Sequence, residues 1–246
     1  MLHINIKAEP VFTLYGFPVT NSLLLAYVVF VLFIALGIFY SLQVRRENKS
    51  RFFYLINFGL RFIYDLFKSV FGDKINYFFP LLGSFFFFIL LNNWSGLIPG
   101  IGAVLIRTVE DGHEVSVPLL RGGTADLNTT LALALITLIF SQYIGIKTIG
   151  FFAYMSRFIN FKGPMAFFTG IIETISEFAK IVSFSFRLFG NIFAGEVIIA
   201  IMAFLIPVLV SFPFLLFEIF IGFIQAIVFS MLSAVFYNLA MQKTDH

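Results

Sequence analysis

Residues 22–42, SLLLAYVVFVLFIALGIFYSL, contain no charged side chain. An apolar run of this length matches the hydrocarbon thickness of a bilayer. Inside lipid, every backbone N–H and C=O must be satisfied by the protein itself, which leaves the helix as the natural solution for one segment. Further apolar lengths lie within residues 77–98, 126–147, 164–207 and 210–240. Only 12% of the chain is charged, against roughly 25% in soluble domains. The sequence therefore predicts an all-α integral membrane protein with five membrane-crossing helices.

Residues 51–72, RFFYLINFGLRFIYDLFKSVFG, differ from the rest. Asn57, Arg61, Asp65 and Lys68 recur at helical spacing on one face, and Phe and Leu cover the remainder. That pattern predicts one interfacial amphipathic helix rather than a sixth crossing. Asn21-Ser22 is read as the cap of the first helix, following an outer tail, residues 1–21, with no removable signal peptide. Residues 99–125 form an outer loop in which VLIRTVEDGHEVSVPLL alternates around Asp111-Gly112, the pattern of a β-hairpin. His113 belongs to its tip and is read as solvated.

Lys and Arg set the orientation. Residues 43–76 carry seven of them and residues 147–162 three, whereas the outer segments share only Lys7, Arg107 and Arg121. The positive-inside rule places the N-terminus outside and the C-terminus in the cytoplasm. From Pro164 no strong breaker appears until Pro207, roughly 43 residues or about 64 Å of helix. Against a core near 30 Å, the last two helices are expected to form a long tilted hairpin.

Cysteine is absent, which excludes disulfides and thiolate chemistry. No motif for a cofactor, a metal or nucleic acid appears, and none is expected. The chemistry-bearing residues are the ionisable ones inside the apolar lengths, which default to function. On the long helix, Glu173, Glu177, Lys180 and Asn191 share one broad polar stripe with Arg187, whereas Glu196 falls near 180° from it. On the last helix, Glu218 and Gln225 are seven apart and share a face. By depth, Asp126, Glu196 and Glu218 lie toward the outside, Glu173 and Glu177 toward the inside, and Arg187 between them. Acids so placed could line two water-filled half-channels separated by a cation. The structural alternatives are a salt bridge at Arg187, an i,i+3 pair for Glu177 and Lys180, and a packing hydrogen bond at Asn191. Gly190 and Ala194 form a small-xxx-small pair that lets another helix approach.

At RLFGNIFAGE, residues 187–196, the sequence resembles subunit a of the F-type ATP synthase, in a form more bacterial than animal mitochondrial. Gln225 seven residues after Glu218, Asp126 in TADLNTTLALAL, and NNWSGLIPG carry the same resemblance, which spans about residues 20–242. Two features depart from the family. Some members hold a Glu/His pair where Glu196 and Glu218 stand, and many place a proline before the SFSFR stretch.

The resemblance implies a non-catalytic, proton-translocating stator subunit in a bacterial plasma membrane or an organellar energy-transducing one. Its implied partners are a rotating c-ring, the peripheral-stalk b subunits and the lipid bilayer. Its implied proton-path residues are Arg187, Glu196, Glu218, Asp126, Asn191, Gln225 and Glu173, with Arg187 separating the half-channels. The alternative is a self-contained proton-coupled secondary transporter, although the internal repeats usual at such binding sites are not found.

Overall fold

The computed structural model describes residues 7–98, 100–110, 113–158, 163–205 and 211–242. The expected breakers Pro99 and Pro207, the hairpin tip Asp111-Gly112 and Lys162 lie outside them. Strands β1 (Pro10–Leu14) and β2 (Phe17–Thr20) form an antiparallel hairpin within the expected outer tail. Tyr15 and Gly16 at its turn both have positive φ, +50° and +82°, as a type I′ turn requires.

Helix α1 spans Asn21–Val44. Its cap is Thr20, whose hydroxyl accepts from the Leu23 amide at 3.3 Å, and not the expected Asn21-Ser22. Those two residues are fully buried and bond elsewhere. Asn21 donates to the Pro118 carbonyl at 3.2 Å, and Ser22 donates to Asp126 at 2.8 Å.

Ser50 caps α2 (Arg51–Phe71). At Gly72 the backbone turns with φ +55°, and a single 3₁₀ turn, Gly72–Lys74, leads into α3 (Ile75–Gly96). The apolar face of α2 is only partly left for lipid. Phe53 stacks on Tyr40 of α1 at 5.0 Å, and Phe71 stacks on Phe78 of α3 at 4.1 Å. Arg61, Asp65 and Lys68 stay exposed, and Asn57 accepts from the Tyr40 hydroxyl at 3.0 Å.

After α3, strands β3 (Leu105–Glu110) and β4 (His113–Pro118) pair antiparallel with Glu110 opposite His113. Then follow α4 (Leu127–Ile149), the five-residue α5 (Phe151–Met155), α6 (Pro164–Leu205) and α7 (Ser211–Ala240). Among the described residues five helical segments are long and apolar enough to cross a membrane: α1, the α2–α3 run, α4, α6 and α7.

Helix α7 is the hub, running against α3, α4 and α6. Gly222, Ala226, Ser230 and Ala234 recur every four residues along it, and the last three are fully buried. Lipid tails are as apolar as the helices, so small residues that allow close packing hold such a bundle together. Phe229 fills the space they leave, edge-on to Phe85 of α3 at 5.7 Å and to Phe184 of α6 at 4.9 Å. This packing fixes the register between α6 and α7, and with it the site.

Candidate functional site

Asp126, at the N-terminal end of α4, marks one end of the bundle. It caps that helix through its Oδ1, which accepts from the Asn128 amide at 2.9 Å and from Asn128 Nδ2 at 3.1 Å. Its Oδ2 accepts from Ser22. Both carboxylate oxygens are thus engaged within the bundle, and the residue is 6% exposed. Beside it lies a second buried set. Asn93 donates to the Gly222 carbonyl at 2.9 Å and accepts from Thr124 at 2.6 Å.

Glu196 and Glu218 meet at the same end. Antiparallel packing sets Glu218 of α7 against Gly195 of α6, so closely that a Cβ at Gly195 would overlap the carboxylate. Glu218 is 4% exposed, and its Oε1 has no hydrogen-bond partner among the described residues. Glu196, the next residue along α6, points to Arg121 instead, with Oε2 3.3 Å from Nε. Gly122 lets the loop come this close, because a Cβ there would lie 2.8 Å from Glu196 Oε1. Arg121 and Glu196 line a cavity of about 450 Å³ together with Glu9, Leu97, Phe193 and Ala200.

One turn deeper, Asn191 of α6 donates to Gln225 Oε1 of α7 at 2.8 Å. Gln225 is buried, and its Nε2 has no partner among the described residues. Arg187 lies a further turn along α6 and is exposed. Its guanidinium donates to Ser183 Oγ at 3.4 Å, and no described carboxylate pairs with it. The face around it carries Ser176, Ala179, Ser183 and Ala194, all exposed, and a Cβ at Gly190 would meet open space. The small pair Gly190 and Ala194 therefore looks out of the chain.

At the opposite end Glu173 forms an ion pair with Arg157, which follows α5. Glu177 is buried, pairs with Lys180, and accepts from Gln142 Nε2 of α4 at 3.1 Å. The structural reading of Glu177 and Lys180 matches this geometry. Tyr154 of α5 is buried nearby, and its phenol is pushed up to about 12 by that burial and by the charge of Glu177.

The structure thus seats Glu218 on Gly195, the neighbour of Glu196 in α6, and joins Asn191 to Gln225. It leaves Arg187 open and places Asp126 and Glu173 at opposite ends with partners of their own. Sequence reasoning missed Arg121, Gly195, Ser22 and Arg157 as contacts of these acids. Arg121 and Arg157 were legible only as loop charges, since nothing local says which carboxylate a loop will reach.

Two comparisons bear on this arrangement. The family described as ATP synthase A chain matches residues 22–238. The chain is also 37% identical over 232 residues to the ATP synthase subunit a, sodium ion specific, of Propionigenium modestum. That match covers 90% of this chain and 74% of the relative.

Proposed function

Since this chain belongs to the ATP synthase A chain family, we propose that it is the proton-translocating stator subunit of an F-type ATP synthase, with Arg187 separating two aqueous half-channels. The observation that carries this reading is the exposed, unpaired guanidinium of Arg187 on a face of small residues. A permanent cation in an apolar stretch is costly unless a partner supplies the opposite charge. No described carboxylate of this chain does so. A ring of c subunits, each presenting one carboxyl group to that face, would supply it in turn.

In this reading protons enter from the outside through the cavity at Glu196 and pass to Glu218, with Asp126 at the same end. The buried, unpaired Glu218 Oε1 is suited to hold a proton close to the ring. Asn191 and Gln225 orient the region between that pair and Arg187. Protons leave past Glu173. Arg187 stabilises the ionised ring carboxylate as it passes and blocks direct leakage between the half-channels. Arginine suits the task because it does not deprotonate at any accessible pH, whereas a buried lysine does so readily. Each proton that crosses yields about 2.3 kcal/mol per 100 mV, which rotation passes to the ATP-forming subunits. The peripheral-stalk b subunits would hold this chain still, and the bacterial plasma membrane is its proposed location.

Arg187→Ala tests the reading. It is expected to abolish coupled ATP synthesis and ATP-driven proton pumping while the subunit still co-purifies with the ring. Normal synthesis in that variant would sink it. A second reading, sodium coupling, is favoured by the likeness to the sodium ion specific subunit a of Propionigenium modestum. Synthesis driven by a sodium gradient at equal pH on both sides would select it.

A further inference from the structure

The cavity of about 450 Å³ at the Asp126 end has mostly apolar walls, and its charged lining groups are Glu9, Arg121 and Glu196. Arg121 sits where the loop after β4 meets α6. Its side chain is 13% exposed and that of Glu196 is 25% exposed.

Among the described residues three contacts hold the guanidinium, and its two hydrogen bonds are long. Nε lies 3.3 Å from Glu196 Oε2, Nη1 donates to the Lys7 carbonyl at 3.4 Å, and the group lies 5.7 Å from the centre of the Phe193 ring. A tight charge-assisted N–H···O bond runs to about 2.7–2.9 Å. This cation is therefore parked against Glu196 rather than locked to it. Behind Glu196, one residue away along α6, Gly195 carries Glu218.

We propose that Arg121 gates this cavity: its guanidinium, resting on Glu196, limits the passage of cations from the cavity to the Glu196–Glu218 pair and must leave Glu196 for each to pass. This rests on the reading of Glu196 and Glu218 as the ion-carrying pair. Two effects combine at the gate. The guanidinium competes with an incoming cation for the Glu196 carboxylate. It also places a positive charge in a cleft whose apolar walls focus the field and so repel what the carboxylate attracts. Arg121 is a positioning residue in this scheme, since it acts through Glu196 and through its field and does not bind the ion.

The test uses membrane vesicles carrying the whole complex, stripped of its ATP-forming sector and energised by a potassium diffusion potential. Passive uptake of protons, and in parallel of sodium, is measured. Arg121→Gln is expected to raise the initial rate about two- to fivefold, the factor that a partly exposed ion pair represents. Arg121→Lys is expected to return it close to the native rate. A structural clasp would instead slow conduction when removed. An unchanged or lower rate in Arg121→Gln complexes that retain the ring overturns the gate. So does failure of both Arg121→Gln and Arg121→Met to assemble. Glu218→Gln is measured beside them: conduction at the native rate in that variant removes the ion-carrying pair, and the gate with it. Blocked conduction in Glu218→Gln together with a native rate in Arg121→Gln removes the gate alone.

Discussion

Gly195 decides more than its size suggests, because the Glu218 carboxylate occupies the volume that any side chain there would need. In an ordinary helix, Gly→Ala is stabilising by up to about 1 kcal/mol through backbone entropy. Here that gain is opposed by overpacking, which costs about 1–3 kcal/mol and drives either the carboxylate or helix α7 outward. Gly195→Ala is therefore expected to slow passive ion conduction about tenfold or more while the subunit remains inserted and helical. Gly37→Ala in α1, where a Cβ would meet open space, is the matched control and should conduct normally. Native conduction in Gly195→Ala would show that Glu218 has no need of its present position. The sequence made Glu196 and Glu218 visible as acids at similar depth. It could not make their junction visible, because the glycine that joins them acts through an α6–α7 register that no local pattern encodes.

At the scale of elements, the long apolar runs were legible because lipid leaves one segment few solutions other than a helix. Helix α6 has 42 residues, about 63 Å at 1.5 Å each, so its excess over the bilayer was legible as well. The β1–β2 hairpin was not. Its turn uses Tyr15 at φ +50°, where Asn or Asp is the usual sign of a type I′ turn. Helix α5 was missed because five residues are too few to show a period. Packing between helices lies further still from the sequence, and Phe229 illustrates it: one of many phenylalanines, its ring meets both Phe85 and Phe184. In a soluble core Phe→Ala costs about 3–5 kcal/mol. Within lipid the transfer share of that cost largely disappears, since an exposed helix face is not in water. Phe229→Ala is therefore expected to destabilise the bundle by about 1–3 kcal/mol. The measurement is denaturant-induced unfolding of the detergent-solubilised subunit. A loss of 5 kcal/mol or more on that scale would mean that the α3–α6–α7 junction is held as a water-excluding core.

For the molecule as a whole, the two ends of the bundle differ in charge as well as in acids. Ser22 and Asp126 join the start of α1 to the start of α4, and Asn93 joins the end of α3 to α7, so these termini share one end. Arg45, Arg46 and Lys49, between α1 and α2, and Arg51, at the start of α2, are all exposed, and the chain direction of α1 carries them to the other. Under the positive-inside rule, the proposed orientation puts that basic end in the cytoplasm. That orientation would set the direction of the proposed ion path, with the Glu196 cavity opening outward and the Glu173–Arg157 pair inward. Single-cysteine labelling tests it cleanly in a chain with no native cysteine. Tyr15 at the β1–β2 turn and Lys49 before α2 are both exposed. A membrane-impermeant maleimide is expected to label Tyr15→Cys in intact cells and Lys49→Cys only in inverted vesicles. The reverse pattern would invert the protein in its membrane. Glu196 and Glu218 would then receive ions from the cytoplasm, and Arg121 would guard the exit from that compartment rather than the entrance from outside.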